Sequence, residues 1–157
     1  MTTLTEYEMY QAGCHAILRR IKGINKNLAR PYGEPKGDLW GQDIESTAAE
    51  MLVAKTLGKY WNIYITEPNA PGANTDGDVG DVEVRHTKYT SGKLLLHDRD
   101  RDEAVFVLVV GKYPRYRIAG WLTAGEGKRP ELVEEYDGRS AYFVPQTELH
   151  SIDSIPK

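Results

Sequence analysis

Asp76-Gly77-Asp78-Val79-Gly80-Asp81-Val82-Glu83-Val84-Arg85-His86-Thr87 is the stretch on which the fold turns. Its first half pairs aspartate with glycine, the composition of a tight turn. Its second half alternates valine with charged residues, the period of a strand with one buried face. Residues two apart on a strand share a face. Val82 and Val84 are therefore expected to enter a core, while Asp81, Glu83 and Arg85 line the other side. Gly80 permits a bend that would bring Asp78 alongside Glu83. Carboxylates repel one another and resist burial. Asp76, Asp78, Asp81 and Glu83 at the head of one strand thus suggest a cation among them. An ordinary Asp/Gly turn is the competing reading.

Upstream, residues 4–29 read as a helix. Tyr7, Tyr10, Cys14, Ile17, Leu18 and Ile21 recur at a period near 3.6, and Arg19, Arg20, Lys22 and Lys26 fall on the opposite face. Two prolines and two glycines in residues 31–37 break the chain. A second helix is expected over about 43–57, with Gly58 as its stop. Its apolar positions include Ile44, Ala48, Met51 and Leu52, and against them Glu50 does not sit plainly on the outer face. Residues 60–66 have strand composition, and 68–80 form a loop.

Downstream, short strands are expected at 93–96, 115–122 and 141–144. The continuous apolar run Ala-Val-Phe-Val-Leu-Val-Val at 104–110 suggests a strand buried on both faces. A short polar helix is expected over 130–135, and a turn or terminal helix over 145–149. Trp40, Trp61 and Trp121 read as core or interface residues. Two helices followed by strands around a buried central one give an α+β (α/β-like) fold, a central mixed β-sheet flanked by helices.

At 157 residues the chain is expected to be a single domain over 1–157, with an N-terminal helical arm at about 1–36. Its 40% hydrophobic and 27% charged residues exclude a disordered protein. No run of eighteen apolar residues occurs, so no membrane-spanning helix is expected. The first residues carry acids and lack an apolar stretch, so no signal peptide is expected. Cys14 is the single cysteine, which excludes an internal disulfide and a multi-cysteine zinc site. The expected location is the cytoplasm. Charge is uneven: +3 over residues 1–36, −6 over 37–103, and balanced beyond. A basic arm beside an acidic centre fits a phosphate-binding surface next to a metal pocket, and chance segregation of solvated charge explains it equally.

Asp78 and Glu83, with a nearby carbonyl, make a hard-oxygen donor set suited to Mg2+ or Mn2+. His86 and His97 stand alone, and a lone histidine is more often structural. Residues 97–103 alternate in charge and read as a solvated, self-paired turn. Arg19, Arg20, Lys22 and Lys26, with Tyr7 and Tyr10, form a candidate nucleic-acid contact. Half-buried core tyrosines are the plainer alternative.

This order of residues resembles the PD-(D/E)XK nuclease superfamily, whose motif is an acid at a turn or strand, then Glu-x-Lys on the next strand, often with a helical glutamate. Asp78 stands at the first acid, Glu83 at the second, and Arg85 where the family usually has lysine. Glu50, in Ala-Ala-Glu-Met-Leu-Val-Ala-Lys, stands at the helical glutamate, and Glu45 is its rival. The segments Asp-Val-Gly-x-x-x-Val-Arg, Val-Phe-Val-Leu-Val and Tyr-Phe-Val-Pro-Gln are similar to small phage-encoded members, over about residues 41–149.

The resemblance implies a restriction-endonuclease-like core and metal-dependent, endonuclease-like hydrolysis of phosphodiester bonds. It implies a catalytic set of Glu50, Asp78, Glu83 and Arg85, with Asp78, Glu83 and Glu50 holding Mg2+ (or Mn2+). It implies nucleic acid as partner, DNA in the first instance, in the cytoplasm of a bacterial host. Arginine keeps its proton, so Arg85 clamps phosphate but is no base. The alternatives are a catalytically inactive nuclease fold that binds DNA or a protein partner, and an α+β interaction protein with a plain acidic turn. A homodimer is compatible with all three.

Overall fold

The computed structural model describes residues 2–25, 37–59, 61, 77–136 and 138–156. Lys26, Asp76, most of the expected break at 31–37, the loop at 68–76 and the expected strand at 60–66 apart from Trp61 lie outside the described residues.

Helix α1 spans Glu6–Asn25. Thr5 and Glu8 cap it reciprocally, each side chain accepting from the other's backbone N–H. Helix α2 spans Leu39–Leu57 and starts earlier than expected, because the Asp38 carboxylate accepts from Gly41 N–H and caps it there. Gly58 takes the left-handed conformation that ends it.

The two helices meet through Ala12 and Ala16, both fully buried. Small side chains let helix axes approach closely. The apolar stripe of α1 therefore lies on the other side. Tyr7 and Tyr10 are each 68% exposed, and Ile17, Leu18 and Ile21 are exposed with them. The two tyrosines are therefore not the half-buried core residues of the plainer alternative. The side that packs is chosen instead by the two alanines and by arginines that reach acids on α2.

Two three-stranded sheets replace the single central sheet expected. In the first, β1 (Val82–Thr87) runs parallel to β3 (Val105–Lys112), which pairs antiparallel with β4 (Arg115–Thr123). In the second, β2 (Leu94–Leu96) and β5 (Val133–Tyr136) flank β6 (Arg139–Val144), all antiparallel. A short helix, α3 (Ala124–Gly127), follows β4. The helix expected over 130–135 is instead a 3-10 turn, Pro130–Leu132, running into β5. A segment that short makes a poor helix, and pairing with β6 satisfies its backbone better.

Strand β3 is buried on both faces, as its apolar run suggests. Val107 and Val109 join Val82, Val84, Leu52 and Val53 under the helices. Phe106, Leu108 and Val110 join Leu94, Leu96, Leu122 and Val144 against the second sheet. The layers are thus helices, mixed sheet, antiparallel sheet. Trp121 is buried as expected, but Trp40 is 44% exposed, because it sits in the first turn of α2, ahead of the buried run 47–54. Among the described residues no helix is long and apolar enough to cross a membrane.

Candidate active site

The acidic stretch folds into a two-residue turn. Val79 and Val82 exchange both backbone hydrogen bonds, at 3.0 Å each, with Gly80 and Asp81 between them. Gly80 has φ +61°, which a side chain would disfavour. Closing the chain at 79 and 82 makes residues 78 and 83 the next opposed pair, with side chains on one face. Gly77 packs on the backbone of Val82, where an added Cβ would lie 2.5 Å from the carbonyl oxygen. Asp78 Oδ2 accepts from Val84 N–H at 2.8 Å, which fixes its carboxyl group. Asp81 stands apart at the turn's tip, 77% exposed and 2.6 Å from Lys59 Nζ.

Glu50 occupies the inner side of α2 and is 9% exposed. Arg19 Nη1 donates to both its oxygens, at 2.8 and 3.0 Å, and Trp61 Nε1 donates at 3.2 Å. Burial first, and the charge of Asp78 second, push Glu50 up to about 7 against the pull of Arg19. Glu83 is also pushed up to about 7, by burial, then by the charge of Asp78, with Arg85 opposing. Asp78 is the neighbour common to both glutamates, so the three carboxyl groups form one electrostatic unit. Among the described residues no three His, Cys, Asp or Glu side chains are placed to hold a metal ion between them.

Arg85 shares with Glu83 the face of β1 turned away from the helices. Its Nη2 lies 3.5 Å from Asp100 Oδ1, and its guanidinium carbon stands 4.8 Å from the centroid of the Phe106 ring. Asp100 is 10% exposed, and its other oxygen accepts from His97 N–H at 2.8 Å. Burial lowers the pKa of His97. The turn at 97–103 therefore is not all solvated: it delivers a buried acid to Arg85. The three-residue spacing of His97 and Asp100, an aspartate closing its own turn, is the local signal that marks it. Arg101 and Glu103 do pair with each other, at 3.8 Å.

No protein-family model, curated protein or solved structure matches this chain. The chemistry rests on the residues themselves.

The expected nucleic-acid face of α1 divides. Arg19 grips Glu50, and Arg20 Nε lies 2.6 Å from Asp43 Oδ2 while its Nη2 donates to Leu39 O. Both arginines turn inward, and Lys22 is exposed. His86 bonds Gly111 O at 2.8 Å through its ring and stacks edge-on to Tyr116. Glu45 accepts from Tyr116 Oη at 2.6 Å and so belongs to a different cluster. A cavity of about 490 Å³ opens beside Arg85, walled by Tyr89, Leu95, Leu108 and Phe143. A larger one, about 670 Å³, lies at the start of α2 and touches none of the three carboxyl groups.

Proposed function

We propose that this chain is a metal-dependent nuclease with a restriction-endonuclease-like core, hydrolysing phosphodiester bonds in nucleic acid, with DNA as the first substrate to test. The observation that supports it most is the turn that opposes Asp78 to Glu83 and fixes Asp78 on Val84 N–H, near the buried Glu50, with both glutamates raised by burial first and by the charge of Asp78 second. Two opposed carboxyl groups in a partly buried place are a site where a divalent cation can bind in place of a proton. Mg2+ characteristically takes one or two carboxylates and completes its shell with water and phosphate oxygens. Asp78 and Glu83 fit that donor set, and Glu50 stands behind them. Bound there, Mg2+ or Mn2+ supplies a water of lowered pKa and a counter-charge for the phosphate.

The chain's own groups have separable tasks. Asp78 is oriented by Val84 N–H. Glu50, which stands outside that two-carboxylate donor set and is pushed up to about 7 by burial, is suited to accept a proton from an attacking water. Arg85 remains charged at any working pH and serves to neutralise the phosphate, not to take a proton. The resemblance to phage-encoded proteins would place this activity in the cytoplasm of a bacterial host.

A second reading has its own support. Arg85 is engaged by Asp100 and Phe106, and Glu50 by Arg19. A nuclease fold with its acids neutralised internally would bind DNA or a protein without cutting. Incubation with plasmid, single-stranded DNA and RNA, in Mg2+, Mn2+ or EDTA, separates the two. Cleavage that needs metal and falls about 100-fold or more in Asp78→Ala and Glu83→Ala is the expected result. Arg85→Lys should keep more cleavage than Arg85→Ala. Equal cutting by wild type and Glu83→Ala, or none by wild type, defeats the hydrolytic reading. DNA retardation in EDTA without cutting in metal favours the second.

A further inference from the structure

The cavity of about 490 Å³ beside Arg85 is walled by β1, by the turn that follows it and by the second sheet. Its volume falls in the range of small-ligand sites, roughly 300–1,000 Å³. Its chemistry is divided. Leu95 and Phe143 are opposed across β2 and β6, and both are half-buried. Their neighbours Leu94 and Val144 point into the core, so this pair lies on the other face of the second sheet. Tyr89 stands beside them, 63% exposed. Arg85 and Lys93 supply positive charge, and among the described residues no carboxylate lines the cavity. Lys93 is paired with Glu134, which leaves Arg85 as the leading cation. Residues 37–103 carry −6 overall, so a cationic, acid-free wall is not what their composition alone produces. The larger cavity at the start of α2 is lined by Asp38, Asp43 and Glu45, which repel an anion.

The turn that carries Tyr89 is held in place before any ligand arrives. Gln146 Nε2 donates to Thr90 O at 2.9 Å and to Gly92 O at 2.7 Å. Arg117 Nη2 donates to Gln146 Oε1 at 2.6 Å and so fixes the glutamine. Gly92 N–H donates to Tyr89 O at 2.9 Å. A Cβ added to Gly92 would lie 2.3 Å from Thr87 Cγ2, so the turn folds closely onto β1. A wall fixed in this way loses little freedom on binding.

We propose that this cavity takes one unstacked nucleotide, with its base against Tyr89, Leu95 and Phe143 and its phosphate on Arg85. Every base has a flat face that stacks on an aromatic ring. A guanidinium matches the oxygens of a phosphate. The Asp100 contact engages one nitrogen of Arg85, at 3.5 Å, in a group with five N–H donors. Arg85 follows Glu83 by two residues on the same face of β1, so the cavity begins beside the carboxyl groups. A phosphate lying between Glu83 and Arg85 sends its own base into the cavity. Resting on the hydrolytic reading above, the cavity names the substrate class: nucleic acid with an unpaired nucleotide beside the cut. A single strand or frayed end is preferred, because a base paired within a duplex must leave the stack to enter.

Binding is read on the full chain in EDTA by calorimetry and amide chemical shifts, so that neither metal nor turnover enters. Deoxynucleoside 5′-monophosphates should bind with a Kd below about 1 mM and move the amides of residues 85–95 and 143. Inorganic phosphate and the unphosphorylated nucleosides should each bind at least about 10-fold more weakly. Tyr89→Ala should weaken monophosphate binding about 10-fold. Leu95→Trp, and Ser91→Trp at an exposed position of the rim, fill the cavity and should abolish it, with circular dichroism unchanged. In Mg2+ a single strand should be cut at least about 10-fold faster than a closed duplex of the same sequence. Absence of saturable monophosphate binding overturns the proposal. So does inorganic phosphate binding as tightly as the monophosphates, and so does undiminished binding in both tryptophan variants. Equal cutting of the closed duplex overturns the substrate class. Monophosphate binding without cleavage in any metal upholds the cavity and defeats the hydrolytic reading alone; cleavage without monophosphate binding does the reverse.

Discussion

Glu50 is the residue whose chemistry is most constrained. Its pKa is raised in the fold, so the folded chain binds its proton more tightly than the unfolded chain does. Stability from this group is then fully present below its ordinary pKa of 4.5, and is lost as pH rises through about 7. Glu83 acts in the same direction over the same window. We predict that wild-type stability falls between pH 5 and pH 8, and that Glu50→Gln reduces that fall by on the order of 2 kcal/mol. Urea unfolding at the two pH values measures it, and an identical slope in the variant would refute the assignment.

Arg19→Met removes the cation that faces Glu50. The loss should be about 3 kcal/mol at pH 8, where the carboxylate is charged and stranded, and smaller at pH 5, where it takes up a proton. Glu50 was legible as an inward residue because its neighbours Ala48, Met51 and Leu52 define the buried side of α2. Its partner was not, because Arg19 lies 31 residues earlier on another helix. Nothing in either segment alone marks that pair. Arg85 repeats the lesson: its place on β1 follows from alternation, but Asp100 arrives from a turn whose charges look solvated when read in isolation.

Among the elements, the turn at 77–82 is the one whose sequence and geometry agree most closely. Gly80→Ala has room for its methyl but must hold a left-handed backbone, and should cost about 1 kcal/mol. Gly77→Ala meets the backbone of Val82 itself and should cost about 3 kcal/mol, with Asp78 displaced. Chemical denaturation of the two variants checks the order; Gly80→Ala as the more damaging would contradict the packing described. Helix α1 shows the reverse relation. Periodicity marks a helix with an apolar and a basic side, but it does not say which side meets the protein. Burying the stripe would separate α1 from the acids on α2, while burying Ala12 and Ala16 brings Arg19 and Arg20 to them. The 3-10 turn and β5 were likewise hidden, since a strand of four residues depends on β6 for its hydrogen bonds.

For the whole molecule, β3 is the shared wall of two cores. Phe106 fills the one against the second sheet and also lies beneath the Arg85 guanidinium. Phe106→Ala should cost about 3–5 kcal/mol. Because both faces of β3 are packed, the two sheets should be lost in one cooperative transition. Fluorescence of the three tryptophans and far-ultraviolet circular dichroism, followed in urea, should report the same midpoint; separate midpoints would show two units. Patterns carried by neighbouring residues were readable from the chain: the alternation of β1, the apolar run of β3, the Gly58 stop of α2 and the turn that sets Asp78 beside Glu83. They rest on backbone geometry and side-chain period, which act over a few residues. Which face of α1 is buried, what grips Glu50 and Arg85, and how the strands divide into two sheets were decided only on folding. Burial rewards any apolar surface without regard to direction, and charges find partners by proximity in space, so those choices emerge only when distant segments compete for the same places.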